Sequence, residues 1–134
     1  MKINTKIRYG LRMMVVLGEE DDKINTEVLG EKMLVSPKYL RKLAGPLERA
    51  GLIKSIQGKF GGYKLAKKPE EINISMVFDA YEESLNISGC TKNMGCLLGE
   101  TCITAGLWEH FEKLIKDQFF KISIKNIIDN EYSI

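Results

Sequence analysis

The chain has 134 residues, a formal net charge of +2 and an apolar fraction of 44%, which fits one globular domain and excludes a disordered or fibrous chain. The opening residues, "MKINTKIRYG", are polar and charged with no apolar run behind them, so no secretory signal is expected, and no stretch approaches the ~20 apolar residues that cross a bilayer. A cytoplasmic protein with reduced thiols and no membrane partner is the expectation, and an odd count of three cysteines suits a disulfide framework poorly.

In chain order, "NTKIRYGLRMMVVLG" places Ile7, Leu11, Met14 and Val15 on one helix face, with Asn4 or Thr5 as its cap. Gly18 and "EEDD" end that helix in a turn. Thr26 is expected to cap a short helix over 27–32, followed by an apolar turn at Met33–Val35. Ser36-Pro37 starts the next helix: the serine accepts from orphan amides, and proline suits the first helical position. Leu40, Leu43 and Leu47 point one way. Pro46 is expected to kink or split this helix near Gly45, and Gly51 to end it. Leu52–Gln57 and Tyr63–Leu65 alternate as strands around the turn "GKFGG". Two helices at a tight turn followed by a hairpin read as a winged helix-turn-helix. "EINISMVFDAYEE" reads as a short extended piece and a helix capped by Ser75, with Val77, Phe78 and Tyr81 in apolar contact. A long helix follows over about 104–120, with Leu107, Phe111, Leu114, Ile115 and Gln118–Phe119 in register and Trp108 widening the face. A last short helix over 124–130 starts after Ser123. The fold class is mainly α with a small β wing. It divides into a winged helix-turn-helix unit at 1–82, a cysteine loop at 83–103 and a long C-terminal helix with its tail at 104–134.

Charge is unevenly spread. Residues 1–68 hold 15 Lys/Arg against 7 Asp/Glu, whereas residues 69–134 hold 5 against 11. Within 32–68 ten basic residues face Glu48 alone. A basic block on a folded segment suggests a polyanion. The second helix of such a motif enters the major groove, so Ser36, Lys38, Tyr39, Arg41 and Lys42 are the candidate DNA contacts. Arg41 and Lys42 can donate to guanine acceptors, while Ser36 and Tyr39 suit phosphates. Gln57 and Lys59 place the wing at a minor groove or its phosphates, and Gly58, Gly61 and Gly62 allow close backbone approach and positive φ. The plainer reading is a lysine-rich solvated face on a winged helix used for protein contacts.

"GCTKNMGCLLGETC" contains Cys90, Cys96 and Cys102, five residues apart each time. Thiolates are soft ligands for zinc, copper(I) or iron–sulfur clusters. Five-residue spacers exceed the usual zinc knuckle and let the loop wrap a wider object. Gly89, Gly95 and Gly99 help it bend, and Lys92 favours thiolate. A cluster, a zinc site completed by His110, a metal-free redox switch and buried structural cysteines all remain open on the residues alone.

At this point the chain resembles the IscR-type iron–sulfur regulators, small dimeric winged-helix repressors. The likeness runs through "KIRYGLRMM", "VSPKYLRKLAGPLERAGLI", "GKFGGYKLAKKP" and "CTKNMGCLLGETCITAGLW" in family order. The resemblance implies that Cys90, Cys96 and Cys102 ligate a cluster, and that Ser36, Lys38, Tyr39, Arg41 and Lys42 belong to the recognition helix. It also implies that the long helix pairs with its mate, giving a homodimer on pseudo-palindromic double-stranded DNA. Two positions depart from the family pattern. Ala105 stands where IscR-type members carry a ligating histidine, and Gln57 where arginine is common in the wing. Solvent, a small thiol or an oxygen from the partner's N-terminal helix is left as fourth ligand. That region offers Asn4, Thr5 and Arg8 but no carboxylate. A four-iron cluster with one labile site fits this better than a two-iron cluster.

The expected function is a transcriptional regulator, a repressor, whose DNA affinity follows its cluster in response to iron–sulfur, redox or nitric oxide status. The alternatives are an iron–sulfur carrier or redox protein without specific DNA binding, and a zinc-bound or metal-free thiol-sensing regulator. No nucleophile–base pair and no phosphate loop occurs, so an enzyme is not expected.

Overall fold

The computed structural model describes residues 2–88, 98 and 101–132. Its first helix, α1, spans Thr5–Gly18, with the Asn4 side chain accepting from the Lys6 amide as N-cap. The stripe that α1 buries is Ile7, Gly10, Met13, Met14 and Leu17, and Leu11 and Val15 are only half-buried. The difference from the expected face arises because α1 packs against several elements at once, so more than one side of it is covered.

Strand β1 (Ile24–Asn25) leads directly into α2 (Thr26–Met33). Asn25, not Thr26, caps α2, accepting from the Glu27 amide at 2.8 Å. An asparagine one residue earlier does the same chemistry at least as well as threonine. The turn to α3 places Leu34 in the left-handed region at φ 57°, with Val35 N–H donating to the Gly30 carbonyl. The expected apolar turn is therefore only partly inward: Met33 is buried, but Leu34 is 89% exposed.

Helix α3 spans Pro37–Arg49, capped by Ser36 Oγ accepting from the Tyr39 amide at 3.1 Å. It buries Leu40, Leu43, Ala44 and Leu47. Pro46 does not split it. The carbonyl that proline leaves without an amide is that of Lys42, on the exposed side where water can serve it. The helix closes at Gly51 (φ 75°) with paired bonds, Leu52 N–H to Leu47 O and Gly51 N–H to Glu48 O.

Strands β2 (Ile53–Ile56) and β3 (Gly62–Leu65) pair antiparallel, with Ile53 opposite Leu65 and Ile56 opposite Gly62. The sheet order is β1-β3-β2, with Ile24 opposite Tyr63. The third strand, β1, lies outside the expected hairpin. A 3-10 turn at Pro69–Glu71 leads to α4 (Ile74–Ala80). Its cap is Asn73 and not Ser75: Asn73 Oδ1 accepts from the Met76 amide, which puts Ser75 inside the first turn.

Helix α5 runs Ala105–Lys121 and α6 Ile124–Asp129. Ser123 caps α6 in a reciprocal box with Asn126. The Asn73 and Ser123 caps lie side by side in an antiparallel bridge, with Ile74 N–H on Ile122 O and Ile124 N–H on Ile72 O. Ile124 is fully buried in the same core as α1–α3, so the last helix returns to the winged unit. Phe119 of α5 stacks on Phe78 of α4 at 4.9 Å.

Candidate nucleic-acid interface and thiol loop

Between the start of α3 and the wing lies an open groove of about 520 Å³. Arg41 forms one wall, and Gln57 and Lys59 form the other. These three sequence candidates, separated by up to 18 positions, come together there. The hairpin supplies the second wall because its turn folds tightly: Gly58 sits at φ 108°, and a Cβ on Gly62 would lie 2.0 Å from the Ile24 carbonyl. That contact explains the need for glycine where β1 joins β3. Tyr63 forms part of the lining. Burial first, and Glu48 second, push its hydroxyl up, while Arg41 pulls it down. Glu48, the acid of the basic block, accepts a bond from Ser55 Oγ at 2.8 Å.

The remaining candidates are placed differently. Lys38 and Lys42 are exposed on α3 alongside Arg41 but do not line the groove. Ser36 is exposed and its hydroxyl caps α3. Tyr39 is half-buried, edge-on to Tyr9 at 5.8 Å, and the Arg12 guanidinium lies 5.1 Å from the Tyr9 ring centre. Asn25, Thr26 and Glu27 line the groove with no signal in the local sequence. They arrive there through the β1–β3 pairing, which joins positions far apart in the chain. Arg12 is a further cation that helical periodicity alone does not attach to α3.

Cys90 and Cys96 lie outside the described residues, as do Lys92 and most of their loop. Cys102 sits three residues before α5 begins. Its Sγ is 3.1 Å from Thr104 Oγ1, and the thiol is pulled below its ordinary value. The largest cause is that side-chain hydrogen bond, followed by the Thr104 amide; burial opposes them, and the Ala105 amide adds the least. Amides at a helix start and a neighbouring hydroxyl favour the thiolate form. On the side of the loop that precedes Cys90, Ile87 N–H donates to the buried carboxylate of Glu112 at 2.9 Å, fastening the approach to α5. Among the described residues no three His, Cys, Asp or Glu side chains converge on a metal position. His110 is exposed, with its ring 5.9 Å from Phe111, and Ala105 occupies the first position of α5.

A helix-turn-helix, a wing and a cationic groove on one chain are the parts of a DNA-binding regulator. The family model described as Rrf2, iron-dependent transcriptional regulator, matches residues 3–130. The chain belongs to the Rrf2 family. It is 34% identical to the HTH-type transcriptional regulator IscR of Aliivibrio salmonicida over 134 residues, covering 98% of this chain and 80% of that protein. In structure it is similar to CymR, the global cysteine regulator of B. subtilis, with a TM-score of 0.80 at 27% identity, covering 97% of this chain and 98% of the other. T. potens IscR gives 0.78 at 26% identity, covering 97% and 88%. This Rrf2 protein is a winged-helix transcriptional regulator and, like its relatives, not an enzyme. No helix among the described residues is long and apolar enough to cross a membrane.

Proposed function

We propose that this Rrf2 protein is a repressor that binds pseudo-palindromic DNA as a homodimer, with an iron–sulfur cluster on Cys90, Cys96 and Cys102 setting its affinity. The observation that carries the DNA half is the groove joining Arg41 to Gln57 and Lys59 beside the exposed Lys38 and Lys42. Laid in a major groove, α3 presents its cationic side while the wing reaches the neighbouring minor groove. Ser36 and Tyr39 belong to the same helix start and position it rather than read bases.

The dimer is supported by α5. Leu107, Phe111 and Leu114 repeat at helical spacing and are 44–48% exposed, an apolar stripe along a helix about 25 Å long. A second copy of the same helix covers it, with the two recognition helices then about one DNA turn, ~34 Å, apart.

The thiol chemistry of the loop fits a cluster: three soft donors, one of them already held toward thiolate by Thr104. When bound, such a group supplies redox-sensitive and nitric-oxide-sensitive charge and geometry to the protein. The protein's own residues carry the response onward. Glu112 ties the segment before Cys90 to α5, and Tyr81, just before that segment, donates its hydroxyl to the Leu43 carbonyl of α3 at 2.7 Å. The loop and the recognition helix thus share a short mechanical route. A four-iron cluster with an exchangeable fourth position suits Ala105, which has no ligating atom.

The similarity to a cysteine regulator, together with the thiolate-leaning Cys102, favours one second reading, a regulator that senses thiols without a cluster. Anaerobic purification with a visible spectrum and iron and sulfide counts separates the two. The cluster reading expects brown protein whose iron is lost in Cys90→Ala, Cys96→Ala and Cys102→Ala alike. Colourless protein with unchanged DNA binding sends the function to the thiol reading. A zinc-loaded protein directs it to a zinc regulator.

A further inference from the structure

We propose that Phe60 is an apolar wedge that enters the minor groove of the bound duplex and partly unstacks one base step. The inference rests on the reading of the groove and wing as a DNA interface. Phe60 stands at the crest of the β2–β3 turn and is 76% exposed, with no place in the apolar core. The turn beneath it is closed, with Gly61 N–H donating to Gly58 O at 3.0 Å and the strands paired up to Ile56 opposite Gly62. Pairing of β3 with β1 on its other edge holds the hairpin against the body of the protein. The ring is therefore presented on a fixed support.

Its surroundings select the partner. From residue 49 to 69 the chain carries Arg49, Lys54, Lys59, Lys64, Lys67 and Lys68 and no acid. The Lys59 ammonium lies 5.7 Å from the Phe60 ring centre. An aromatic ring at the tip of a wholly cationic hairpin suits a partner that offers both negative charge and flat apolar faces. Duplex DNA meets both needs: Lys59 takes a phosphate at the groove edge while the ring takes a base step. Apolar side chains inserted from the minor groove are a general way to kink a duplex. Pyrimidine–purine steps unstack most readily, so the wedge adds sequence preference where no hydrogen bond reads a base. The neighbouring Gln57 and Lys59 supply polar reach, and neither can unstack bases.

The test starts from duplexes selected out of a random pool by the wild-type protein. A 2-aminopurine is then placed at each step opposite the wing, and bending is read by end-to-end energy transfer. Wild type is expected to raise 2-aminopurine fluorescence at one step, enriched in TA or CA/TG, and to bend the duplex. Phe60→Ala is expected to lose both signals and bind about tenfold or more weakly, with an unchanged salt slope and unchanged melting temperature. Phe60→Leu should keep part of each signal. Lys59→Ala should instead lower the salt slope by about 2 per dimer. If wild type selects DNA but Phe60→Ala leaves bend, fluorescence and affinity as they were, the wedge is wrong and the DNA reading survives. If wild type selects no duplex, the DNA reading fails and the wedge with it. Retained DNA signals in Phe60→Ala with lost binding to anionic vesicles would reassign the ring to a lipid surface.

Discussion

Tyr81 joins three parts of the molecule through one side chain. Its ring fills the space above Gly10, where an added Cβ would come within 2.6 Å of the ring, and its hydroxyl reaches the Leu43 carbonyl of α3. Tyr81→Phe removes that donor and is expected to cost about 1 kcal/mol of stability. Gly10→Ala, which overpacks the same contact from α1, should cost about 1–3 kcal/mol. Chemical denaturation at neutral pH checks both. Burial first, and Tyr39 second, hold the Tyr81 hydroxyl well above its ordinary value of 10.0. The folded state therefore keeps a proton that the unfolded chain releases near pH 10. The stability this confers is complete below that pH and is lost as pH rises toward the folded value. Tyr81→Phe should flatten the decline in unfolding midpoint above pH 10, leaving the smaller contribution of Tyr63, whose hydroxyl is also pushed up. A decline of the same steepness in both proteins would remove Tyr81 as its source. None of this was visible in the sequence. "DAYEE" announces an apolar contact at Tyr81, but the partner of its hydroxyl lies 38 positions away.

Helix α5 shows how an amphipathic pattern can be read correctly and still leave its partner unassigned. The register of Leu107, Phe111, Leu114 and Phe119 is plain in the sequence, yet the positions divide by neighbour. Phe119 stacks on Phe78, while Leu107, Phe111 and Leu114 face solvent in the single chain. Periodicity reports that a face is apolar and carries no information about which surface covers it. Leu114→Glu, at 48% exposure, should leave helix content intact and convert the proposed dimer to a monomer in sedimentation. A mass unaffected by the charge would place the dimer interface elsewhere. The caps tell a related story. Ser36 and Ser123 are local signals and are right, whereas Asn25 and Asn73 take the places expected for Thr26 and Ser75. Where two good cap residues lie close together, the boundary is set by the pairing around it, here β1 on β3 and the Asn73–Ser123 bridge. The hairpin was legible because β2, its turn and β3 are continuous in the chain. Strand β1, two residues long, has no period to detect. Gly62→Ala tests that junction. Its Cβ would lie 2.0 Å from the Ile24 carbonyl, and backbone has no way to yield there without giving up the β1–β3 register. A loss of about 3 kcal/mol or more is expected, read as a lowered melting temperature together with a weakened grip on DNA, because the groove wall moves with the strand.

The charge asymmetry between the two halves of the chain makes a prediction that belongs to the proposed dimer as a whole. Lys38, Arg41, Lys42 and Lys59 are exposed and lie on the face formed by α3 and the wing, and doubling them gives about eight cations for phosphates and base edges. Counterion release then sets a slope near −0.9 for each phosphate neutralised, so affinity should fall about 10³–10⁵-fold between 50 and 200 mM salt. The excess acid of the second half is Glu70, Glu71, Asp79, Glu82 and Glu83, from the 3-10 turn to just past α4, with no Lys or Arg among residues 69–83, and like charge repels the duplex there, which favours an approach by the face of α3 and the wing. Lys38→Ala should reduce the slope by about 2 in the proposed dimer and weaken all sequences evenly, since a lysine on a phosphate carries no base information. Arg41→Ala should differ in kind: Arg41 borders the groove that also holds Gln57 and Lys59, and losing it should cost about 1–3 kcal/mol at the selected site and relax preference at one base pair per half-site. Equal losses on selected and random duplexes would move Arg41 from reading to mere attraction. Linkage closes the argument. If the proposed cluster in the thiol loop is coupled to α3 through Tyr81, the factor by which cluster loading changes DNA affinity must equal the factor by which DNA changes retention of the cluster. DNA titration of the cluster-loaded and cluster-free protein gives the first factor, and cluster retention at equilibrium with and without the selected duplex gives the second, each in wild type and in Tyr81→Phe. A coupling that survives Tyr81→Phe undiminished would send the route through α5 and Glu112 instead.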